Sequence, residues 1–242
     1  MIHNSTALQV KDLTIGYGDR TLVRDISFEL APGECVLLAG PNGTGKTTLL
    51  KRVAQFPGPI PPESPIILIP TNIPKVKGFT VEAFIQTGCY RESDWRGKVS
   101  ADVAGRMEKA MELLGIQELR RRDISTLSDG EFQKACLATG LTRKAEVLLL
   151  DEPTAHLDVE NRIDVLRTLR EVARKTGTAV LFSSHDLHDA LQVADRVFVL
   201  TRDGRFLCSS VISSEVPSVI SSEVEKSKEA VLQAAFPNLS SL

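Results

Sequence analysis

The chain has 242 residues, of which 42% are hydrophobic and 25% are charged, a composition typical of a folded globular protein. Its formal net charge of −2 argues against a protein that coats nucleic acid, because such proteins carry a basic excess. No apolar run approaches the roughly 20 residues of a membrane-spanning helix, and residues 1–6 lack the basic and apolar segments of a secretion signal. We therefore expect a cytoplasmic protein.

The first part of the chain alternates apolar and polar residues over 7–30, with a turn signal at 16–19. This pattern predicts an antiparallel pair of strands. Residues 35–39 are apolar on both faces, as in a strand buried between two layers. A glycine-rich loop and a helix that begins near Thr47 follow this strand.

The middle of the chain is predicted to be largely helical. Five prolines within residues 57–65 exclude regular structure there, and residues 66–69 then read as a second buried strand. Apolar residues recur at three- and four-residue spacing from Val81 to about Leu119, which predicts helix. After a loop at 122–127, a further helix is expected around Glu131–Thr142.

Three more buried strands are predicted at 147–150, 179–182 and 197–200, and they alternate with helices. Strands that alternate with helices indicate an α/β protein with a mainly parallel sheet. The four cysteines are scattered without metal-ligand spacing, so we expect reduced thiols in apolar surroundings. They are Cys35, Cys89, Cys136 and Cys208.

Residues 40–47 match the phosphate-binding loop pattern of Gly, any four residues, Gly-Lys and Ser or Thr. Glycines let backbone N–H groups curl around phosphates, and the start of the following helix adds a favourable dipole. We expect Lys46 to bind the β- and γ-phosphates and Thr47 to ligate Mg²⁺. The predicted nucleotide-binding residues here are Gly40, Pro41, Asn42, Gly43, Thr44, Gly45, Lys46, Thr47 and Thr48.

Two adjacent acids, Asp151 and Glu152, follow the predicted strand 147–150. An acid at the C-terminal end of a buried strand lies at the edge of the sheet where α/β proteins bind ligands. We expect Asp151 to hold Mg²⁺ directly or through water. Glu152 is predicted to orient and deprotonate the attacking water.

The pentapeptide Leu-Ser-Asp-Gly-Glu, which begins at Leu127, lies between these two motifs. With them, the chain resembles the ATP-binding subunits of ABC (ATP-binding cassette) transporters over most of residues 8–207. The pentapeptide resembles the family's Leu-Ser-Gly-Gly-Gln signature, from which Asp129 and Glu131 depart. A change of Gln to Glu at this position is common among family members that import iron complexes.

The resemblance implies which further residues bind ATP. Ser128, the Gly130 backbone and Glu131 would contact the γ-phosphate of ATP held by the opposite subunit, and a helix start with a small hydroxyl is a suitable anion site. Asp158 belongs to a segment that resembles the loop across the dimer interface. His185 resembles the switch histidine, which contacts the γ-phosphate and helps to position the catalytic acid. Tyr17 matches the aromatic residue that stacks on adenine.

Two departures from the family pattern bear on coupling to transport. The family carries a Gln after the strand that here ends at Pro70, where it touches Mg²⁺ and the membrane partner, whereas this chain has Thr71. The register follows from residues 79–82, which resemble the family's Leu-Thr-Val-Arg-Glu segment. Thr71 is too short to reach the metal, so we expect weaker or different coupling. Residues 57–65 also replace a longer family segment, which predicts a trimmed β subdomain.

The resemblance implies an ATPase of the phosphate-loop fold that works with ATP and Mg²⁺ as a dimer, most simply a homodimer. Separate integral-membrane permease subunits, and indirectly a solute-binding protein, would be its partners on the inner face of the cell membrane, with no role for nucleic acid. The segment 80–88 resembles importers of iron-siderophore complexes, haem and cobalamin. The alternatives are a soluble ABC ATPase without a transport role and a nucleotide sensor that does not hydrolyse ATP.

The whole chain is expected to form one ABC ATPase domain. Residues 1–70 and 143–208 would form the nucleotide-binding core with its β subdomain, and residues 71–142 the helical subdomain that carries the signature. Residues 209–242 form a tail in which Ser-Val-Ile-Ser-Ser-Glu-Val occurs twice, starting at Ser210 and at Ser218. We attach no function to this repeat.

Overall fold

The computed structural model of the protein describes residues 6–18, 20–55, 66–94 and 98–209. The proline-rich segment and the repeated tail singled out above lie outside these described residues. The regular elements are, in chain order, β1 (Leu8–Tyr17), β2 (Arg20–Leu30), β3 (Cys35–Ala39), α1 (Lys46–Ala54), β4 (Ile66–Ile69), α2 (Val81–Thr87), α3 (Ala101–Leu113), α4 (Asp129–Thr142), β5 (Val147–Leu150), α5 (Val159–Thr176), β6 (Ala179–Ser183), α6 (Leu187–Val193), β7 (Arg196–Leu200) and β8 (Phe206–Cys208). Three short 3₁₀ helices span Tyr90–Glu92, Gln117–Leu119 and Ile124–Thr126.

Within the described residues, the strands form two sheets. Strands β1 and β2 pair antiparallel, and the other six strands form a sheet in the order β4-β5-β6-β3-β7-β8. All neighbours in the larger sheet are parallel except β7 and β8. This arrangement confirms the predicted α/β class and the predicted antiparallel pair. It also brings the C-terminal ends of β3, β5 and β6 to one edge of the sheet.

The large sheet is covered on both faces, and its central strands are accordingly apolar except for Ser183 at the end of β6, as is usual for parallel strands. Leu37 and Leu148 face a core shared with helices α2 to α6. Val36 and Leu149 face a second core, which is shared with the β1–β2 pair and α1. The sheet is therefore held rigidly from both sides, which keeps the loops at its C-terminal edge in place.

The predicted helical stretch from Val81 to about Leu119 contains two separate helices. The segment divides into α2 and α3, joined through a 3₁₀ turn and an isolated bridge between Ser93 and Val99. The side chain of Ser100 accepts a hydrogen bond from the Val103 N–H and caps α3, which fixes a new helix start. Helix α4 begins two residues earlier than predicted, and the short strand β8 was not predicted.

Three of the four cysteines match the expected buried, reduced state. Cys35, Cys89 and Cys136 are buried free thiols, but Cys208 is free and exposed, so the expectation of apolar surroundings is wrong for it. Burial raises the pKa of the Cys136 thiol to about 12, which keeps it protonated and inert. In the described ranges, the structure contains no helix that is both long and apolar enough to cross a membrane.

Candidate nucleotide site

The predicted phosphate loop leads from the end of β3 into the start of α1. Gly40, Gly43 and Gly45 have φ angles of 152°, 82° and 103°, which residues with a side chain rarely adopt. A Cβ atom at Gly40 would lie 2.6 Å from the Leu200 carbonyl oxygen, so a side chain there would displace the backbone. The glycines thus allow the loop to fold tightly over the sheet edge.

The Lys46 ammonium is held inside this loop. Its Nζ donates to the Gly40 carbonyl at 2.8 Å and lies 3.5 Å from the Pro41 carbonyl. Burial lowers the pKa of Lys46, and the nearby carboxylates of Glu152 and Asp151 oppose that shift. A desolvated cation inside a loop of open backbone N–H groups is suited to bind phosphate oxygens.

Thr47 and Asp151 come together across the sheet edge, although 104 residues separate them in the chain. Thr47 Oγ1 donates to Asp151 Oδ2 at 2.8 Å. Adjacent oxygen ligands of an octahedral Mg²⁺ ion, each about 2.1 Å from the metal, lie about 3 Å apart. The two oxygens therefore have the spacing and chemistry of a pair of Mg²⁺ ligands.

Ser183, at the end of β6, connects the two predicted acids. Its Oγ donates to Asp151 Oδ1 at 3.0 Å and accepts the Glu152 backbone N–H at 2.9 Å. Because β6 pairs with β5, Ser183 at the end of β6 lies beside both acids. It holds the Asp151 carboxylate in one orientation and fixes the backbone from which Glu152 projects.

Glu152 and His185 are in contact, as the sequence predicted. His185 Nδ1 lies 3.3 Å from Glu152 Oε2, and their side chains are 61% and 27% exposed. Glu152 has a φ of 48°, in the left-handed region that residues with a side chain adopt only rarely. Such a carboxylate, partly open to water and beside an imidazole, has the geometry of a general base with an orienting partner.

Thr71 lies at the same edge, behind Asp151. Its Oγ1 donates to the Asp151 backbone carbonyl at 2.8 Å. The hydroxyl is therefore used to secure the backbone of the acid. This contact agrees with the expectation that Thr71 does not take the place of a longer Gln side chain at the metal.

A cavity of about 470 Å³ extends from the phosphate loop toward the β1–β2 pair. Its wall contains Asn42, Gly43 and Thr44 of the loop, together with Arg20 and Arg202. Tyr17 ends β1, and 81% of its surface is exposed. The exposed ring is accessible for stacking on a base. The cavity wall beside the loop carries Asp203 as well as the two arginines.

Ser128 and Glu131 form a reciprocal cap at the start of α4. Ser128 Oγ accepts the Glu131 N–H at 3.2 Å, and a Glu131 carboxylate oxygen accepts the Ser128 N–H at 2.8 Å. This backbone hydrogen bond lowers the pKa of the Glu131 carboxyl, and Arg122 adds to the effect. The cap fixes the position of Ser128 at the start of the helix.

The start of α4 packs against the start of α5. A Cβ atom at Gly130 would lie 3.0 Å from Asn161 Oδ1, so glycine permits this close approach. Asp158 caps α5 by accepting from the Asn161 backbone N–H at 2.8 Å and from the Asn161 amide at 2.8 Å. The Asn161 N–H lowers the pKa of Asp158. The predicted residues Gly130 and Asp158 thus both lie against Asn161.

Sequence reasoning assigned no role to Ser183 or Asn161. Ser183 was visible only as part of the Ser-Ser-His-Asp segment after a buried strand, and its contacts depend on the strand order. We expect Ser183→Ala to lower kcat for ATP hydrolysis about tenfold. The Asp151 carboxylate would lose a hydrogen-bond donor, and the Glu152 backbone N–H would lose its acceptor.

Ser209→Ala is the matched control for this prediction. The Ser209 hydroxyl is also buried and accepts the Val197 N–H at 2.9 Å, but it lies on a different part of the sheet. Steady-state phosphate release should separate the two variants. Equal kcat values for Ser183→Ala and Ser209→Ala would refute a specific role for Ser183.

A parallel sheet with a phosphate loop after β3 and paired acids after β5 defines a phosphate-loop nucleotide-binding protein. A family model described as ABC transporter matches residues 23–155. The zinc import ATP-binding protein ZnuC of Jannaschia sp. (strain CCS1) is 33% identical over 226 residues, which cover 90% of this chain and 86% of that protein. The iron(3+)-hydroxamate import ATP-binding protein FhuC of Bacillus subtilis (strain 168) is 28% identical over 213 residues, 81% of this chain and 79% of that protein.

The fold agrees with these similarities. A solved nucleotide-free ATP-binding cassette from an ABC transporter has a TM-score of 0.76 and 18% identity, and the match covers 95% of this chain and 96% of that chain. The chain therefore belongs to the ABC transporter family as an ATP-binding cassette. It binds nucleotide and is an ATPase, as the family is.

Proposed function

We propose that this chain is the ATP-hydrolysing subunit of an importer and that the paired acids after β5 are its catalytic centre. The observation that carries the proposal is the series of contacts from Thr47 through Asp151 and Ser183 to Glu152 and His185. In the proposal, these contacts join the phosphate-binding element, the metal ligands and the base on one edge of a rigid sheet.

In this proposal the residues of the site have distinct tasks. Lys46 and the loop backbone bind the β- and γ-phosphates, while Thr47 and Asp151 hold Mg²⁺, which neutralises charge on the phosphates when bound. Glu152 takes a proton from the attacking water, and His185 orients Glu152 from 3.3 Å away. Tyr17 stacks on the adenine ring, where its exposed face adds binding area.

We propose that two copies of the chain form the working unit. The start of α4, with Ser128, Gly130 and Glu131, would bind the γ-phosphate of nucleotide held by the second copy, since a helix N-terminus favours anions. Asp158 caps α5 next to Gly130 and would lie near the same interface. Each copy carries both halves of a site, so a homodimer would contain two complete sites.

The importer proposal rests on the similar proteins, whose names describe import of zinc and of an iron(3+) complex. We propose that the cargo is an iron-siderophore complex, haem or cobalamin. Zinc is the second candidate, because a zinc importer subunit is 33% identical. The chain would bind permease subunits on the inner face of the cell membrane, and a solute-binding protein would deliver the cargo. Thr71 would give a coupling between nucleotide and permease that differs from that of Gln-bearing relatives.

We also propose which parts of the chain bind nucleotide and which carry the signature. Residues 1–70 and 143–208 would bind nucleotide, residues 71–142 would carry the signature, and residues 209–242 would follow as a tail. This division is consistent with the positions of β4 and β5, which flank the helices α2, α3 and α4 in the chain.

An uptake experiment tests the importer role. In cells that lack the chain, we expect loss of energy-dependent uptake of a radiolabelled ferric chelate and restoration by the wild-type chain but not by Lys46→Ala. Radiolabelled zinc and cobalamin are measured in parallel. Loss of zinc or cobalamin uptake alone would refute the ferric cargo, and unchanged uptake of all three would refute the proposed importer.

A further inference from the structure

Both acidic residues in the first turn of α4 have a basic partner. Lys75 Nζ lies 2.6 Å from Asp129 Oδ1, and Arg122 Nη1 lies 3.3 Å from Glu131 Oε1. These acids stand where the resembling family has uncharged Gly and Gln. The chain therefore carries two added negative charges at a helix start that is proposed to receive a phosphate, and it places a cation beside each of them.

Lys75 makes three contacts with the start of α4. Besides the carboxylate of Asp129, its Nζ donates to the Leu127 carbonyl at 2.9 Å and lies 5.4 Å from the centre of the Phe132 ring. The lysine side chain is only 26% exposed, while that of Asp129 is 59% exposed. A cation held by a carboxylate, a carbonyl and an aromatic face is fixed in position more firmly than one in a simple surface pair.

Charge at this point matters because like charges repel across short distances. A carboxylate in the first turn of a helix is favourable for the helix itself but opposes an incoming phosphate at the same terminus. Asp129 directly follows Ser128 and precedes Gly130, the residues proposed to contact the phosphate. An Asp129 without its cation would weaken the very site that the helix start provides.

We propose that Lys75 is a positioning residue that neutralises Asp129, so that the start of α4 accepts the terminal phosphate of ATP held by a second copy of the chain. The inference rests on the proposed function, because it requires that two copies enclose ATP. The inference also explains how the chain tolerates Asp129 at this position, because Lys75 pairs with its carboxylate. Lys75 is four residues after Thr71, whose hydroxyl contacts the Asp151 carbonyl. Lys75 and Thr71 therefore belong to one short segment beside the proposed metal site.

ATP-driven dimerisation of the full chain measures this effect directly. In a Glu152→Gln background, which is expected to retain ATP, the dimer fraction is followed by size-exclusion chromatography with light scattering as ATP is increased. We expect Lys75→Met to raise the ATP concentration at half-maximal dimerisation about tenfold. Binding of ATP to the dilute monomer should be unchanged, because Lys75 is not in that copy's phosphate loop.

Restoration by a second change separates charge from structure. Adding Asp129→Asn to Lys75→Met should return dimerisation to the parent level, because no charge then remains to be neutralised. Lys75→Arg, which keeps the positive charge, should retain most of the ATP-driven dimerisation. If Lys75 acted only by holding its segment against α4, Asp129→Asn would give no rescue. Higher ionic strength should narrow the difference between Lys75→Met and its parent.

Lys134→Met is the matched control. Lys134 is also on α4 and forms a 2.7 Å pair with Asp164, and the two side chains are 22% and 58% exposed, close to the values for Lys75 and Asp129. The control should dimerise like the parent. A parent that fails to dimerise with ATP would overturn the proposed function and this inference with it. A parent that dimerises, with Lys75→Met equal to it or not rescued by Asp129→Asn, would overturn the inference alone.

Discussion

Lys46→Ala is expected to weaken ATP binding by at least about a hundredfold, since two or more charge-assisted hydrogen bonds to phosphate are lost in a partly desolvated loop. Lys46 is only 6% exposed and its ammonium already lies among the loop carbonyls, so little reorganisation is needed when phosphate binds. Alanine also leaves the loop with backbone donors alone. Titration with ATP by calorimetry measures the loss.

Two controls make this result specific. Lys51→Ala removes an exposed lysine from the same helix and should leave the affinity for ATP unchanged. Circular dichroism should show that Lys46→Ala remains folded, because removal of a buried ammonium also removes its desolvation cost. Retention of wild-type affinity by folded Lys46→Ala would contradict the assignment of residues 40–47 as the phosphate-binding loop.

Much of the fold could be predicted from local patterns, and the reason is visible in the core. Strands such as β5 are apolar at every position because both faces of the sheet are covered, and that pattern is readable in four residues. The phosphate loop was equally clear, because its glycines adopt positive φ angles that few other residues tolerate. These features depend on neighbours in the chain.

The features that were missed depend on neighbours in space. The strand order places β6 between β5 and β3, so Ser183 lies between the acids and the loop, and no local pattern encodes that order. The contact of Lys75 with Asp129 joins residues 54 positions apart. The helical pattern from Val81 to about Leu119 did not reveal the break between α2 and α3, where α2 ends at Gly88 and the Ser100 cap starts α3.

Glu152→Gln is expected to lower the rate of ATP hydrolysis about a thousandfold while ATP still binds, because the amide keeps the shape of the side chain but cannot accept a proton. The nucleotide then stays enclosed, and an ATP-bound dimer should accumulate during size-exclusion chromatography. Glu171→Gln, an exposed change on α5, is the control and should turn over ATP normally. A monomeric Glu152→Gln variant with unchanged turnover would contradict the catalytic assignment.

The contact between Glu152 and His185 allows this assignment to be tested further. If His185 acts by orienting Glu152, His185→Ala lowers kcat in the wild-type chain but has little effect in the Glu152→Gln background, because residues that act as a unit are not additive. Full additivity would mean that the two side chains act independently despite their 3.3 Å separation. The Glu152 backbone should keep its left-handed φ in both variants, because its N–H is held by Ser183 from the neighbouring strand. In this assignment the sheet sets the position of the base, and additivity of the two variants would show that the imidazole does not set its orientation.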